Sequence, residues 1–275
     1  MKYDYSFLKG KISDYSDVFS IGKSLENRDI FCFKIGTGDA GAVFAAGFHA
    51  LEYLTVPALL SFADKFLNMM QYHNRISAYF VPSVNPDGIE IAVNGLNPKN
   101  PYHKDIINSV GIIDFKNAWQ ANAAGVDINH NFNAQWQKIC DKCAPTRYGG
   151  EFPHSEPETR AVASLLTKIK PELFVAFHSQ GKEIYYDFNG LENKCAKENA
   201  EFVAKKCGYI AETPTGTASF GGAKDWYIQE FNKEAYTIEL GLGKNPLPDT
   251  ELNEMKNDVF NICTEFIDRV FINQL

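Results

Sequence analysis

The feature that most constrains the fold is the alternation of short apolar runs with longer amphipathic stretches. Several runs are apolar almost throughout, which is typical of strands covered on both faces of a sheet. The runs that predict strands are Ile30–Lys34, Ala42–Phe48, Ile76–Val81, Leu173–Phe177, Glu183–Asp187 and Ala235–Glu239. The stretches that predict helices are Tyr53–His73, Glu156–Lys170, Glu192–Lys206 and Thr250–Asn273. This alternation predicts an α/β sandwich with a mainly parallel or mixed sheet and functional groups at strand ends.

Local signals refine three of the element boundaries. Ser155, followed three residues later by Glu158, predicts a capping box at the start of the second helix. Gly208 predicts a left-handed cap after the third helix. The segment 84–88, Val-Asn-Pro-Asp-Gly, predicts a tight turn after a strand.

The length and charge of the chain bound its organisation and its partners. A chain of 275 residues suits one large α/β domain, so we expect residues 1–275 to form a single unit. The 27 basic and 34 acidic residues give a net charge of −7. Nucleic acid and anionic membrane surfaces would repel such a chain, so we expect neither as the main partner. The sequence sets no oligomeric state.

One apolar stretch, 41–62, has the length of a membrane span. His49 and Glu52 lie in its middle, and Gly47 and Pro57 interrupt it. Ionisable groups at mid-membrane are costly, so a buried strand, a turn and a helix are the better interpretation.

The amino terminus and the cysteines predict a cytoplasmic location. No apolar stretch follows a basic start, so we expect no secretion signal. The six cysteines are scattered through a large chain, which indicates reduced thiols. Cys140 and Cys143 form a lone C-x-x-C pair, which is weak evidence for metal or redox chemistry because a zinc site needs two more ligands.

The first candidate for chemistry is His49-Ala-Leu-Glu52, which follows a predicted strand and opens a helix. Both side chains can point at one ion there, and imidazole nitrogen with carboxylate oxygen suits Zn²⁺. The alternative is a strand-end histidine beside a first-turn glutamate that favours the helix dipole.

His178 comes just past another core strand, where it either makes an ordinary hydrogen bond or completes a set of two histidines and one carboxylate. Such a set leaves a fourth position for water, as in catalytic zinc sites.

Two further segments offer polar groups near that set. Glu239 ends an apolar strand, where it is either half of a structural ion pair or, beside a zinc-bound water, a general base. The segment 125–133 contains an aspartate, three asparagines and a histidine, and is either a loop that hydrogen-bonds itself or a binding wall. Asp127 could hold a ligand histidine in one tautomer.

Seven segments in order resemble the zinc carboxypeptidase A-like metallopeptidase family. They are 21–30, His49-x-x-Glu52, Asn85-Pro-Asp-Gly88, Gly125-Val-Asp-x-Asn129, His178, Asp225-Trp226 and Thr237-x-Glu239-Leu-Gly241. The resemblance implies a three-layer α/β sandwich around a mixed, mostly eight-stranded sheet. It also implies one Zn²⁺ per chain, held by His49, Glu52 and His178, with Glu239 as the base that takes and returns the proton.

Within that family, the segments 148–159, 178–181 and 239–248 resemble bacterial γ-D-glutamyl-diamino acid peptidases. The implied substrate is therefore a peptidoglycan stem peptide, hydrolysed at an amide bond by metal-activated water. Two alternatives stay open: an amidase or deacylase of small N-acyl amino acids, and a binding module that keeps zinc without turnover.

Three substrate-binding positions depart from the family pattern. An arginine that grips the substrate carboxylate often follows the loop asparagine, but here the pair is Asn129-His130. Histidine holds a carboxylate weakly and only when protonated, whereas arginine does so bidentately and stays charged. Where the family has a basic residue that stabilises the oxyanion, this chain has Gln120, an uncharged hydrogen-bond donor. The tyrosine of the family corresponds to Thr217 here.

These departures leave the chain without its expected carboxylate-binding charge. Arg147 or Arg160 could supply that charge from another loop, because arginine is common at carboxylate sites.

Overall fold

The computed structural model describes residues 1–191, 194–213 and 220–272. Eight strands lie within these ranges: β1 Val18–Lys23, β2 Asp29–Ile35, β3 Ala40–Ala45, β4 Ile76–Val81, β5 Leu173–His178, β6 Glu183–Tyr185, β7 Ile210–Glu212 and β8 Glu234–Glu239. The α-helices within the same ranges are α1 Tyr5–Ile12, α2 Thr55–Phe66, α3 Met70–His73, α4 Pro86–Asn94, α5 His103–Val110, α6 Phe115–Ala118, α7 Pro157–Ile169, α8 Lys194–Cys207, α9 Ala223–Phe231 and α10 Leu252–Ile267.

The described strands form one mixed sheet in the order β1-β2-β4-β3-β5-β8-β6-β7. The four central strands β4, β3, β5 and β8 are parallel, and antiparallel pairings join them to β2 on one side and β6 on the other. Because β3, β5 and β8 are parallel, their carboxyl ends meet at the same edge of the sheet. Every residue of β5 is buried, as expected for a central strand covered on both faces.

Apolar clusters on both faces of the sheet explain the three layers. On one face, α2 and α10 pack together, and Phe44, Phe62 and Phe80 form part of a fully buried aromatic cluster. On the other face, α7 and α9 cover the sheet, and the Phe174 ring packs edge-on against Tyr227. Helices on both faces of a largely parallel centre confirm the predicted α/β sandwich and its mixed eight-stranded sheet.

The predicted strands are all present, with end shifts of a few residues. The edge strands β1 and β7 were missed because neither has a buried apolar face: β1 is only half-buried and contains an irregularity between Ser20 and Gly22, and β7 is three residues long.

The first predicted helix is divided into α2 and α3. The third and fourth predicted helices are present as α8 and α10, and their outer ends, Glu192 and Asn273, lie outside the described residues. Gly208 has the predicted left-handed conformation, with φ of 74°.

Two predicted boundaries were wrong. The Asn85–Gly88 segment begins α4 rather than forming an isolated turn, because Asn85 caps the helix by accepting a hydrogen bond from Gly88 N at 2.9 Å and Pro86 occupies its first turn. The capping box at Ser155 does not form, since α7 is capped at Glu156 without a side-chain bond. The Glu158 carboxylate instead accepts a hydrogen bond from Leu25 N at 3.2 Å.

The apolar stretch 41–62 folds as β3, a turn and the start of α2, as predicted. None of the described helices combines the length and apolar character needed to cross a membrane. The cysteines all belong to the described ranges and are free thiols.

Candidate metal centre

His49 and Glu52 follow the carboxyl end of β3. His49 is extended (φ −94°, ψ 136°) and directly precedes a 3₁₀ turn, Ala50–Glu52, which brings the two side chains to one side of the chain. Ala50 N donates a 3.0 Å hydrogen bond to Gln120 O, so the turn is fixed to a neighbouring loop. As a result, His49 Nδ1 lies 2.9 Å from Glu52 Oε1.

His178 is the last residue of β5 and meets that pair from the adjacent strand. Its ring is 1% exposed and stacks on Phe48 with a centroid separation of 5.2 Å. His178 Nδ1 lies 3.0 Å from Glu52 Oε2 and 3.3 Å from His49 Nδ1. Ligand atoms from the three side chains therefore lie within 4.8 Å of one another, as the sequence predicted for a metal site.

The hydrogen-bonding geometry shows how these side chains could hold a cation. His49 Nε2 lies 3.1 Å from Asp127 Oδ1, so a neutral ring that keeps its proton on Nε2 turns its Nδ1 lone pair toward Glu52. The two Nδ1 atoms also face each other, while His178 Nε2 is buried with no hydrogen-bond partner among the described residues. In the neutral histidines these acceptors would repel one another, and a bound cation would relieve that repulsion. The residues therefore fit zinc, which commonly binds two histidines and one carboxylate in catalytic sites.

The pKa shifts in this cluster show how strongly its charges interact. Burial lowers the pKa of His49, but the carboxylates of Glu52 and Asp127 outweigh it and raise that pKa well above 6.5. Burial raises the pKa of Glu52, but His49 and His178 outweigh it and lower that pKa overall. Asp127 follows the same pattern, because His49 and His130 outweigh burial and hold its pKa below the usual range. Both carboxylates are therefore ionised beside the histidines.

Asp127 connects the metal centre to the loop that contains residues 146–148. Its Oδ2 atom accepts a hydrogen bond from Arg147 N at 2.8 Å and lies 3.2 Å from Thr146 Oγ1, whose single hydroxyl hydrogen it shares with Gln120 Oε1. Its own backbone N–H donates to Tyr148 O at 2.7 Å. The carboxylate is thus fixed on both sides while Oδ1 contacts His49, which is the contact that sets the tautomer of a ligand histidine.

Glu239 is the last residue of β8 and the register partner of His178 on the adjacent parallel strand. On its other side it pairs with Glu183 of the antiparallel strand β6. Burial and the negative charges of Glu52 and Glu183 raise the pKa of Glu239 well above 4.5, against an opposing effect of His49. A partly exposed carboxylate with a high proton affinity therefore lies beside the metal ligands.

A cavity of about 600 Å³ opens over this cluster. Its described lining residues are His49, Leu51, Glu52, Asn117, Ala118, Gln120, Thr146, Arg147, Ser179, Gln180, Glu183, Tyr185, Glu239, Lys244 and Asn245. Gln120 lies on its wall, and Gln120 Oε1 accepts a 3.0 Å hydrogen bond from Thr146 Oγ1. The two amide hydrogens of Gln120 are therefore the groups left to donate into the cavity.

The other residues predicted to bind substrate are placed differently. Asn129 Oδ1 accepts a 3.0 Å hydrogen bond from Ala223 N, and His130 Nδ1 donates to Phe220 O at 3.0 Å. Neither residue is among the described residues that line the cavity. Thr217 lies outside the described residues.

Asn245 and Ser179 support the metal ligands and were not singled out from the sequence. Asn245 Nδ2 donates to Ser179 O at 2.6 Å and contacts Glu52 Oε1 at 3.4 Å, while Ser179 Oγ donates to Asn245 Oδ1 at 2.8 Å. The only available signal was their presence in the family-like segments 178–181 and 239–248. Nothing in the local pattern indicates that two loops so far apart in sequence meet at Glu52.

Comparison with known proteins decides the assignment. The zinc carboxypeptidase family matches residues 5–262. The chain belongs to the zinc carboxypeptidase family. Members are zinc-dependent hydrolytic enzymes, and in this member His49, Glu52 and His178 form the metal-binding triad. The resemblance found from the sequence is therefore confirmed, as are the enzymatic class and the zinc cofactor.

Individual relatives in the zinc carboxypeptidase family cover most of the chain. It is 30% identical over 282 residues to gamma-D-glutamyl-L-diamino acid endopeptidase 1 of Lysinibacillus sphaericus, across 94% of this chain and 71% of that protein. It is 28% identical over 248 residues to carboxypeptidase B of Rattus norvegicus, across 80% of this chain and 57% of that protein. The crystal structure of carboxypeptidase A from Helicoverpa armigera superposes with a TM-score of 0.76 at 19% identity, across 97% of this chain and 73% of that one. The last comparison confirms the predicted carboxypeptidase A-like fold.

Proposed function

We propose that this member of the zinc carboxypeptidase family hydrolyses the amide bond between γ-D-glutamate and a diamino acid in peptidoglycan-type stem peptides. The observation that carries the proposal is the convergence of the metal triad with Glu239 in one cavity. The substrate class is supported by the 30% identity, over 94% of this chain, to an endopeptidase named for γ-D-glutamyl-L-diamino acid bonds.

The chain supplies the proton transfer through Glu239. The chemistry that bound zinc supplies is Lewis-acid activation of water, whose pKa falls to about 7 on such a metal. The Glu239 carboxylate lies at the same edge of the sheet as the triad, where it can accept a proton from the attacking water. Its raised pKa makes it a stronger base than an ordinary glutamate, and the same group returns the proton to the departing amine.

Gln120 is the proposed donor to the developing oxyanion. Thr146 occupies its carbonyl oxygen, which orients the amide hydrogens toward the cavity. An uncharged amide stabilises an oxyanion by hydrogen bonding alone, so Gln120 performs without charge the role of the expected basic residue. The placement of Gln120 is fixed through its backbone, because Gln120 N donates to Pro145 O at 2.9 Å.

The decisive experiment incubates zinc-loaded protein with synthetic tri- and tetrapeptide stems and identifies the products by mass. We expect release of a fragment that contains the diamino acid, with the γ-glutamyl carboxyl left free. A parallel panel of N-acyl amino acids tests the alternative deacylase activity. Intact stems beside cleaved acyl amino acids would overturn the proposed substrate class.

A further inference from the structure

The charges around the cavity are unevenly divided. Among its described lining residues, Glu52, Glu183 and Glu239 carry carboxylates, while Arg147 and Lys244 are the basic side chains other than the metal ligand His49. The substrates named in the proposed function carry free carboxylates on the diamino acid. Such a group needs a positively charged partner in a cavity that already holds several carboxylates.

Arg147 is fixed relative to the metal centre through its backbone. Its φ of 65° lies in the left-handed region, which is disfavoured for a residue with a side chain. Two hydrogen bonds bracket this conformation: Arg147 N donates to Asp127 Oδ2 at 2.8 Å, and Asp127 N donates to Tyr148 O at 2.7 Å. Asp127 also contacts His49, so one carboxylate joins the metal ligand to the residue that carries the guanidinium. Strained backbone held in this way is common where a side chain must be aimed.

The Arg147 guanidinium is free to bind a ligand. It makes no hydrogen bond or ion pair with any described residue, and Arg147 is exposed at the cavity. The other candidate from the sequence, Arg160, donates to His154 O and Ser155 O and does not line the cavity. Arg28 is likewise engaged, by Glu26 and Asp87. The free guanidinium at the metal centre therefore belongs to Arg147.

The loop that holds the substrate carboxylate in many relatives is otherwise occupied. Asn129 accepts a hydrogen bond from Ala223 N at the start of α9, and His130 donates to Phe220 O in the segment just before that helix. Their polar atoms stabilise a contact between loops, and Arg147 approaches the same metal centre from the loop that precedes α7.

We propose that Arg147 binds a free carboxylate of the diamino acid residue, and so selects substrates that carry one. This inference rests on the proposed function for the identity of the substrate. Guanidinium presents two parallel N–H donors that match a carboxylate, which the Lys244 ammonium cannot do. Arg147 is thus a specificity-determining residue, distinct from the ligands and from the base.

The test compares the tripeptide L-Ala-γ-D-Glu-diaminopimelate with the same tripeptide whose diaminopimelate carboxylates are carboxamides. For wild-type protein we expect a clear preference for the acid. Arg147→Gln should raise KM for the acid about 10- to 100-fold, because losing a hydrogen bond to a charged group weakens binding by about that factor. The same variant should leave KM for the diamide unchanged. Arg147→Lys should recover part of the loss, and Arg160→Gln should behave as wild type.

A second measurement does not depend on turnover. Calorimetric titration of zinc-loaded protein with free diaminopimelate should show binding that Arg147→Gln weakens about 10- to 100-fold, whereas diaminopimelate diamide should bind both proteins equally. If wild-type protein binds diaminopimelate but cleaves neither tripeptide, the proposed function fails and the role of Arg147 stands. No binding to wild-type protein, equal binding to both proteins, or an unchanged acid preference in Arg147→Gln overturns the role of Arg147.

Discussion

Asp127 Oδ1 lies 3.1 Å from His49 Nε2, on the side of the imidazole ring opposite the Glu52 carboxylate. The ring is therefore held between two carboxylates, of which Glu52 is a metal ligand and Asp127 is not. Such outer contacts fix the orientation of a ligand histidine and raise its basicity.

Asp127→Ala should weaken zinc binding about 10- to 100-fold, because His49 loses the contact that fixes its tautomer. Competition with a chromophoric chelator measures the affinity. Asp141→Ala, which changes an exposed aspartate nearby in the sequence, serves as the control and should bind zinc as wild type does. Equal affinities for both variants would contradict this role of Asp127.

Glu239→Gln should reduce kcat about 10²- to 10⁴-fold while zinc content stays at one per chain, since the variant loses the base and keeps the ligands. Glu183→Gln is the matched control, because Glu183 is the register neighbour of Glu239 and lines the same cavity. We expect a loss below about tenfold there, as the base remains. Near-wild-type turnover in Glu239→Gln would exclude Glu239 as the base.

Gln120→Ala should lower kcat about 10²- to 10³-fold with little change in KM, because an oxyanion donor acts in the transition state. Asn117→Ala removes another amide from the same cavity, one whose Nδ2 already donates to Asp114 Oδ2 at 2.7 Å. Steady-state kinetics should therefore show a kcat about 10²- to 10³-fold lower for Gln120→Ala than for Asn117→Ala. Similar kcat values for the two variants would argue against Gln120 as the oxyanion donor.

Removal of zinc should destabilise the protein as well as inactivate it. A ligand that binds only the folded state stabilises it by about 4 kcal/mol when its free concentration is 1,000-fold above Kd. Thermal unfolding with and without a chelator should therefore show a lower Tm for the zinc-free protein, restored by added zinc. His178→Ala should abolish this zinc-dependent difference, while His103→Ala should retain it. A chelator-insensitive Tm in wild-type protein would count against the triad as a tight zinc site.

Glu158 should make stability fall as the pH rises. Burial, aided by the charges of Asp87 and Glu156, raises the pKa of Glu158 to about 8 from 4.5. Between these values the unfolded chain releases a proton that the folded protein keeps, so folding loses a few kcal/mol from about pH 4.5 to about pH 8.

Glu158→Gln removes this titration. The stability of the variant relative to wild type, measured as the free energy required for unfolding, should therefore be greater at pH 8 than at pH 5. Urea denaturation at the two pH values measures the change, with the exposed Glu201→Gln as control. A difference between Glu158→Gln and wild type that does not vary with pH would show that Glu158 does not titrate in this window.

The central sheet and the metal triad could be predicted because each has a signal that is local in sequence. Strand β5 is apolar from Leu173 to Phe177 and ends at His178, so burial and function are both visible in one short run. Glu158 shows the opposite case. Its position favoured a helix cap, but tertiary burial beside Leu25 and Asn122 determined its role.

The remaining features depend on how distant loops approach one another. Arg147 lies 98 positions from His49 in the sequence and is connected to it through Asp127. Its left-handed backbone is not encoded by a glycine, so no residue type marks it in advance. The edge strands were missed for a related reason, since half-buried strands lack a continuous apolar pattern.

His178 and Glu239 are register partners on two adjacent parallel strands. Their spacing is therefore set by the backbone hydrogen bonds of the sheet, which hold neighbouring strands about 4.7–4.9 Å apart. Arg147, Lys244 and Asn245 come from loops, which tolerate insertion and replacement far better than central strands do. Descendants of this chain could thus acquire new substrates by loop exchange alone, while the separation between His178 and Glu239 passes unchanged from one to the next.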